Sequence, residues 1–352
     1  DLFRNVPLFT RITTSPPAQA GPVEIFQFIE NELQDIEPQM AAPMSNDYGR
    51  ADQAALWMLQ AKLYLNAEVY INESRYTDAL TALNKVLTAG YDLEPEYQHL
   101  FGADNHTSEE LIFTFPADGE TSLGYGGTTF LVNAMILNSM EPTDYGVNAG
   151  WNGLRATSAL VNKFDDPSGN TDSRAIFYDE SPQTLEIPDL LDSEGGYGVP
   201  KFTNLTRDGE DGSDPGFPDT DYPVFRLADA YLMYAEAVLR GGSGGDQATA
   251  LQFINDLRER AYGDDSGNID ATDLTLDFIL EERVRELYFE GMRRADLIRF
   301  GLYTGGEYLW PWKGGIQEGT AIEDHLQIFP IPSTDLDANP NLEQNPGYGG
   351  EE

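Results

Sequence analysis

The sequence predicts a mainly α protein, in which tetratricopeptide-like helix pairs support long irregular loops rich in aromatic residues, with only minor β structure. Three observations lead to this prediction. Residues 274–299 carry the longest helical pattern in the chain, with apolar residues three and four positions apart. Two similar helix pairs are predicted at residues 50–90 and 226–262. The segment 100–225 between them is rich in Gly, Asn, Asp, Pro and aromatic residues.

The composition is that of a folded and very acidic protein. The 352 residues include 21 Lys and Arg against 60 Asp and Glu, a net charge of −39 at pH 7, and 40% are hydrophobic. This charge disfavours nucleic acid, whose phosphates require Lys and Arg, and it disfavours anionic membrane surfaces. A neutral or cationic ligand is therefore favoured. The absence of cysteine excludes disulfide bonds and thiolate metal sites, and no run of about 18 apolar residues could span a membrane.

The N-terminal part is predicted to contain three helices after an opening loop. Pro22 suits the first position of a helix over residues 23–37, because its fixed φ is already helical. A second helix is predicted over 50–71 and a third over 76–89, with Gly90 as the C-cap of the third.

The two helix pairs resemble each other in sequence. Residues 65–68 match residues 233–236, and Ala79-Leu80 matches Ala250-Leu251. Repeated helix pairs stack on one another because a single pair cannot bury its apolar face alone. We therefore expect a helical-repeat scaffold.

The segment 100–225 is predicted to be mostly loop, with one short strand at residues 111–115. Loops of this length inside a folded domain are usually functional or disordered. Aromatic residues favour ordered loops here: Tyr125, Phe130, Tyr145, Trp151, Tyr178, Tyr197 and Phe202. A rigid helical scaffold that carries long aromatic loops is typical of a binding protein.

Charged residues interrupt the apolar pattern of the helix predicted at 274–299, whose N-cap we place at Asp273 or Thr272. Glu282, Glu286 and Glu290 lie four apart, and Arg283 and Arg293 each lie three residues from one of these acids, which predicts ion pairs along the helix. Arg299 extends the charged set toward the end of the helix. We interpret the set as an ion-pair network that holds helices together. A pair of catalytic acids is the alternative.

Three stretches carry a resemblance to a known family. The first stretch consists of Glu282-Arg283, Glu286-Leu287, Phe289-Glu290-Gly291, Arg293-Arg294, Asp296-Leu297 and Arg299. The second is the continuous run Tyr222-Pro223-Val224-Phe225-Arg226-Leu227-Ala228-Asp229-Ala230-Tyr231-Leu232-Met233-Tyr234-Ala235-Glu236-Ala237. The third consists of Phe329-Pro330-Ile331-Pro332, Asn339-Pro340-Asn341-Leu342 and Gln344-Asn345-Pro346-Gly347-Tyr348. In this order they resemble the SusD/RagB family of surface lipoproteins. The resemblance covers nearly the whole chain.

The resemblance implies a single SusD-like domain over residues 1–352, with the α-α superhelix of that family. The domain would consist of the helix pair 50–90, the loop-rich ligand region 100–225, the helix pair 226–262, and the core helix with the C-terminal motif at 272–348. Asp1 starts near a motif that falls well inside family members, so we expect the family's N-terminal helical part to be missing. Membrane attachment is expected only through an N-terminal lipid that is absent from this chain.

The function that the resemblance implies is binding of an oligosaccharide, or less often a peptide, at the cell surface of an outer membrane. The ligand would be delivered to a SusC-like TonB-dependent transporter. No cofactor is expected. Calcium is weighed at two acidic segments, the Asp264–Asp273 loop and the run from Asp208 to Asp221, because carboxylate oxygens suit this ion. A polar turn and a solvated acidic loop are the favoured interpretations of these two segments.

The best ligand site in the sequence surrounds Trp151. Its ring lies in a turn of Gly and Asn residues, which predicts that backbone geometry positions it and that it is not part of a periodic core. Sugars need a flat ring for their C–H face and polar groups for their hydroxyls. We therefore predict a site formed by Trp151 and Tyr145 with Asn148, Asn152 and Arg155.

Two other classes of function compete with glycan binding. A glycoside hydrolase would use two carboxylates that need not be near each other in sequence, and 60 acidic residues make chance pairs inevitable. A tetratricopeptide-type scaffold would bind protein partners in its helix grooves instead of on the aromatic loops.

Overall fold

Eleven α-helices and four short strands form the regular structure of residues 1–12 and 14–349, the residues that the computed structural model describes. The helices are α1 Pro22–Ile36, α2 Gln53–Leu65, α3 Ala67–Ile71, α4 Tyr76–Leu87, α5 Gly127–Met135, α6 Ser158–Val161, α7 Leu227–Leu239, α8 Gln247–Tyr262, α9 Leu276–Leu287, α10 Arg293–Arg299 and α11 Ser333–Ala338. The strands are β1 Val6–Pro7, β2 Gln19–Ala20, β3 Leu111–Phe115 and β4 Tyr222–Arg226. The fold is mainly α, as the sequence predicts.

The scaffold is a layer of packed helices with α7 at its centre. Helix α2 packs on α4, α4 packs on α7, and α7 packs on both α8 and α9. Short acidic side chains start two of these helices: Asp52 accepts hydrogen bonds from the free N–H groups at the start of α2, and Asp246 does so at α8. Helices therefore occupy both regions in which the sequence predicts helix pairs. No helix in the described ranges is long and apolar enough to cross a membrane.

The helix predicted over residues 50–71 is interrupted, and that prediction is wrong in its bounds. Helix α2 begins only after its cap, Asp52, and ends before Asn66, whose φ of −95° and ψ of 5° leave the helical region. The side-chain amide of Asn66 donates to the carbonyl oxygen of Lys62 at 2.8 Å. The main-chain N–H of Asn66 donates to the same carbonyl oxygen at 3.2 Å, so Asn66 closes the end of the helix.

The helix predicted over residues 274–299 is also broken, which corrects the longest element of the prediction. It divides into α9 and α10 at a turn in which Phe289 has φ of 59° and Gly291 has φ of 77°. The left-handed backbone at Phe289 is unusual for a bulky residue and depends on the surrounding structure. The N-cap of α9 is Thr275, whose hydroxyl accepts from the N–H of Phe278, and neither Asp273 nor Thr272 takes that position.

A two-stranded antiparallel sheet joins the two ends of the loop region. Strand β3, which the sequence predicts, pairs with β4, which it does not predict. Phe113 lies opposite Phe225 and Phe115 opposite Tyr222. Strand β4 runs directly into α7, so the sheet connects the loop region to the helical scaffold.

A buried cluster of charges surrounds Arg226, which is the last residue of β4 and the N-cap of α7. Its guanidinium group donates to Glu286 at 2.6 Å and to Glu110 and Glu290 at 2.8 Å. Lys201 also donates to Glu290 at 2.8 Å. All five side chains are buried. Their ion pairs therefore hold the sheet, the loop region and the end of α9 together.

A second buried group of charges holds α10 against the scaffold. Arg283 contacts Asp229 and Asp296, each at 2.9 Å, and Arg299 contacts Glu236 at 2.6 Å. These contacts support the structural interpretation of the charged set. The predicted pairing along one helix is wrong, because Arg283 does not pair with Glu286 in the described structure; its partners come from other segments.

Arg293 likewise departs from the predicted pairing with Glu290. Its guanidinium group donates to the carbonyl oxygen of Leu280 at 2.8 Å and lies 3.4 Å from Glu281. The break between α9 and α10 explains the difference. Glu290 lies in the turn and points to the cluster around Arg226, while Arg293 starts the next helix.

Apolar residues form a main core between the scaffold helices and a second core beneath the loop region. The second core contains Val132, Met135 and Ile136 of α5 and its C-terminal end, together with Phe101 and Phe202. The side of α5 that faces this core is completely buried. Burial of this kind fixes α5 as a rigid part of the loop region.

Replacing Glu286 should destabilise the whole fold. Glu286→Ala would leave Arg226, Arg260 and Arg174 with an uncompensated buried charge, and we expect a loss of about 3–5 kcal/mol in the free energy of unfolding. Denaturant unfolding measures this loss. Glu73→Ala, at an exposed carboxylate, is the matched control. Unchanged stability of Glu286→Ala would contradict the structural role.

The buried carboxylates should make stability depend on pH in the acidic range. Burial opposes ionisation of Glu282, but the positive charges of Arg174, Arg285 and Arg258 outweigh it and lower the pKa from 4.5 to about 2. As the pH falls, the carboxylate of Glu282 is therefore protonated in the unfolded chain before it is protonated in the folded protein. This difference in proton binding favours unfolding. Glu282 contributes about 3 kcal/mol above pH 4.5, and this contribution is lost as the pH falls toward 2.

The variant Glu282→Gln separates this effect from the rest of the chain. We expect the difference in unfolding free energy between wild type and Glu282→Gln to be largest above pH 5 and to shrink steadily toward pH 2. Unfolding curves at a series of pH values, with Glu73→Gln as control, measure it. A difference that stays constant with pH would show that the pKa of Glu282 is not lowered.

Candidate functional site

Helix α5 supports the candidate site, and its exposed side carries Phe130. The backbone of the Trp151 turn is attached to the C-terminal part of this helix. The N–H of Trp151 donates to the carbonyl oxygen of Asn133 at 2.8 Å, and the N–H of Gly153 donates to that of Ala134 at 2.9 Å. These bonds satisfy carbonyl groups that a helix end leaves free. The position of Trp151 is therefore fixed by main-chain contacts.

Four aromatic side chains, Tyr125, Phe130, Trp151 and Phe217, lie side by side on the surface, and we call this group the aromatic platform. The ring centroids of Phe130 and Trp151 are 6.2 Å apart, as are those of Tyr125 and Trp151, and Tyr125 lies 5.5 Å from Phe217. Neighbouring rings are tilted by 40–58°. Tyr125 is 74% exposed, Phe130 43% and Trp151 37%. The rings thus form a stepped apolar surface that is open to a ligand.

The acidic segment at 208–221 positions one ring of the platform. The carboxylate of Asp214 accepts hydrogen bonds from the N–H groups of Gly216 at 2.7 Å and Phe217 at 3.1 Å. Asp219 accepts from the N–H of Gly119 at 2.7 Å and so joins the loop before Tyr125 to the loop that carries Phe217. These acids act as acceptors for turn N–H groups, which are otherwise difficult to satisfy in a loop.

Carboxylates do not converge on a common point in the two segments weighed for calcium. Among residues 1–12 and 14–349, no group of three or more His, Asp or Glu side chains is placed to hold a metal ion. In the other acidic segment, Asp264 accepts from the N–H of Ser266 and Asp270 from that of Thr272. The local turns use these carboxylates as hydrogen-bond acceptors.

The structure brings only part of the predicted site together. Asn148 is exposed, and its N–H donates to the carbonyl oxygen of Pro215 at 2.9 Å, so it lies beside the loop of Phe217. Asn152 has a left-handed φ of 50° and shapes the Trp151 turn. The guanidinium group of Arg155 donates to the carbonyl oxygen of Asp192 at 2.5 Å, which commits it to the protein.

Tyr145 lies apart from the platform rings. It is half-buried against the second core, and burial, reinforced by the nearby charge of Asp144, raises its pKa to about 12. Its carbonyl oxygen accepts from the N–H of Asn204. These contacts give Tyr145 a structural position beneath the loop, whereas the sequence predicts it beside Trp151 because only six residues separate the two.

Of the four platform residues, the predicted site includes only Trp151; Tyr125 and Phe130 are noted only among the aromatic residues that favour ordered loops, and Phe217 is not singled out. It lies in an acidic, Gly- and Pro-rich run whose charges drew attention to metal binding. A single aromatic residue between Gly216 and Pro218 in such a polar run is the signal that could have identified it. Its neighbours on the platform are more than sixty positions away in sequence, and only the folded chain brings them within contact.

Loss of the Asp214 carboxylate should loosen the Phe217 loop. In Asp214→Ala, the N–H groups of Gly216 and Phe217 lose their acceptor, and an unsatisfied donor costs about 1–3 kcal/mol. We expect amide hydrogen exchange at these two residues to accelerate about tenfold or more, since 1.4 kcal/mol corresponds to a factor of ten. Asp208→Ala, an exposed acid of the same segment, is the control. Equal exchange rates in both variants would contradict this role of Asp214.

Comparison with known sequences finds a family model and several related proteins that match this chain. The sequence model of the SusD family, SusD_RagB, matches residues 188–348. The starch-binding protein SusD of Bacteroides thetaiotaomicron is 34% identical, over 99% of this chain and 70% of its own length. A SusD-like protein of Bacteroides ovatus is 27% identical, over 81% of this chain and 52% of its own length.

Comparison with solved structures gives the same fold. Surface glycan-binding protein A from Bacteroides thetaiotaomicron superposes with a TM-score of 0.76 at 24% identity, covering 98% of this chain and 74% of that chain. A structure of surface glycan-binding protein A from the same organism in complex with laminarihexaose superposes with a TM-score of 0.74, at the same identity and coverage. At this level of identity the superposition establishes the common fold.

Proposed function

Since the chain belongs to the SusD family, we propose that it is a surface protein that binds a neutral oligosaccharide on the aromatic platform. The resemblance drawn from the three sequence motifs is thereby confirmed. The observation that carries the proposal is the platform itself, because its exposed rings are held in place before any ligand arrives. A site that is ordered in advance loses less conformational entropy when a ligand binds.

The chemistry of the platform suits a sugar. Aromatic rings offer an apolar surface to the C–H groups of a sugar ring. The exposed Asn148, beside the Phe217 loop, offers an amide that can both donate to and accept from hydroxyl groups. Asn152, the next residue in the Trp151 turn, carries a second amide, whose oxygen accepts from the N–H of Asn138 at 3.4 Å. The platform and its rim thus supply both kinds of contact that an oligosaccharide needs.

We propose a glucan as the ligand class. The names of two similar proteins mention starch and laminarihexaose, both of which are polymers or oligomers of glucose. A net charge of −39 repels anionic polysaccharides and leaves a neutral glucan unaffected. The contact area of four rings is small, and a dissociation constant in the micromolar to millimolar range, or about 4–8 kcal/mol, is expected.

The proposed partner is a SusC-like TonB-dependent transporter in the outer membrane, to which the glycan would be delivered at the cell surface. The family of the chain supports this proposal, and weak binding suits it because the cargo must be released. We propose no catalysis. A glycoside hydrolase requires two carboxyl groups on either side of the scissile bond, whereas Asp214 and Asp219 beside the platform are engaged with turn N–H groups.

A tetratricopeptide-type protein scaffold is less well supported. The helix faces that such a scaffold would use are buried between α2, α4, α7 and α8 in the described structure. The exposed aromatic residues lie on the loops instead. The helices are therefore proposed to support the ligand site and not to form it.

Trp151→Ala should abolish most of the glycan affinity without unfolding the protein. The ring is exposed and contributes its face to the platform, so we expect affinity for maltoheptaose or laminarihexaose to fall at least tenfold, about 1.4 kcal/mol. Isothermal titration calorimetry measures the affinity and circular dichroism monitors the fold. Phe9→Ala, an exposed aromatic residue outside the platform, is the control. Unchanged affinity in Trp151→Ala would refute the platform, and reducing ends released by the wild type would indicate an enzyme.

A further inference from the structure

A cavity of about 530 Å³ lies next to the aromatic platform, between the end of β3 and the start of α5. Its volume falls within the range of about 300–1,000 Å³ that is typical of ligand pockets. Phe130 lines the cavity and also contacts Trp151, so the cavity and the platform share a wall. A ligand on the platform could therefore continue into the cavity without leaving the protein surface.

The polar end of the cavity is the N-terminus of α5. The N-cap residue, Gly126, has no side chain to accept hydrogen bonds from the first turn, and the N–H groups there are free to meet an acceptor from outside. Thr128 and Thr129 in this first turn are only 5% and 4% exposed, and both line the cavity. Their hydroxyl groups have no hydrogen-bond partner within the described parts of the chain. Their oxygen atoms are not among the fully buried polar atoms of the described residues, so an external polar group can reach them from the cavity.

The remaining walls are uncharged and, apart from Ser122, apolar. Phe115, Phe130 and Tyr222 contribute rings, and no Lys, Arg, Asp or Glu side chain lines the cavity among the residues that the structure describes. A charged ligand group would be partly removed from water here without a counter-ion, which is costly. A neutral sugar unit avoids this cost, because its C–H face can contact the rings and its hydroxyls can bond to the threonines and the helix N–H groups.

The glycine at the mouth of the cavity is not required by the fold. Gly126 has φ of −100° and ψ of −167°, an extended conformation that any residue can adopt, and a Cβ atom built there meets nothing within 4 Å. Gly21, the N-cap of α1, has the same properties, with φ of −81° and ψ of 168° and open space around a Cβ atom. Gly126 lines the cavity and Gly21 does not. The two positions therefore form a matched pair for an experiment.

We propose that this cavity is a second subsite, which holds a further sugar unit of the same neutral oligosaccharide that occupies the platform. The inference rests on the proposed function, since it extends the site to longer ligands. Short oligosaccharides would occupy the platform alone. Longer ones would in addition place a unit against α5, with hydroxyl groups on Thr128, Thr129 and the first N–H groups of the helix.

The length dependence of binding tests the proposal. Gly126→Leu places a bulky side chain on a residue that lines the cavity, and we expect it to weaken binding of the longer ligand about tenfold, or 1.4 kcal/mol, and to leave the shorter one within about twofold. The ligand pairs are maltotriose with maltoheptaose and laminaritriose with laminarihexaose, titrated by calorimetry into the intact chain. Gly21→Leu should bind both members of each pair as the wild type does.

A second variant covers the case in which Gly126→Leu distorts the loop. The double variant Thr128→Val with Thr129→Val keeps the shape of both side chains and removes only the hydroxyl groups. We expect it to weaken the longer ligand several-fold and to leave the shorter one unchanged. Wild-type affinity for the longer ligand in both variants overturns the subsite, as does an equal loss on short and long ligands in the double variant.

The failure of the proposed function would give a different pattern. If the wild type binds none of the four oligosaccharides, or if Trp151→Ala binds them as the wild type does, the platform proposal fails and the subsite falls with it. If Trp151→Ala loses both long and short ligands while Gly126→Leu and the double threonine variant bind normally, the platform stands and only the subsite is refuted.

Discussion

The guanidinium group of Arg226 lies where the helical scaffold, the β3–β4 sheet and the loop region meet, and it contacts three buried carboxylates there. Burying a charge without a partner is so costly that each of these groups depends on the others. Glu110 lies just before β3, and Glu286 and Glu290 lie at the end of α9 and in the following turn. A fold that separated any of these segments would leave a buried charge unpaired. The cluster therefore specifies one arrangement of segments that are far apart in sequence.

The candidate site depends on this arrangement through a short chain of contacts. The cluster fixes β4, and β4 holds β3 by antiparallel pairing. The end of β3 leads toward α5, which the second core holds from beneath. The backbone of Trp151 is then bound to the carbonyl groups of α5. Each step is a packed or hydrogen-bonded contact, so the rings of the platform are held by the same scaffold that the buried charges stabilise.

The large excess of acidic residues serves several different purposes. Some carboxylates are paired with arginines inside the protein, as at Glu286. Others, such as Asp214 and Asp219, accept hydrogen bonds from loop N–H groups and shape the site. The cavity beside α5 is lined by no charged side chain among the described residues. A cavity without charged lining residues, in a protein of net charge −39, suits the neutral sugar unit proposed for it and disfavours an anion.

Local patterns in the sequence determined the class of fold and the family. They also determined the helices with clear caps and apolar faces and the strand β3. All of these depend on residues that are close together in the chain. Local patterns also identified Trp151 as a ring held in a turn. The tertiary structure decided the break at Phe289, the partners of Arg283 and the position of Tyr145. It also brought Phe217 to the platform and placed two threonines in the wall of a cavity. Spacing along a helix identifies neighbours on that helix, whereas a buried charge or a surface ring takes its partners from segments that only folding brings into contact.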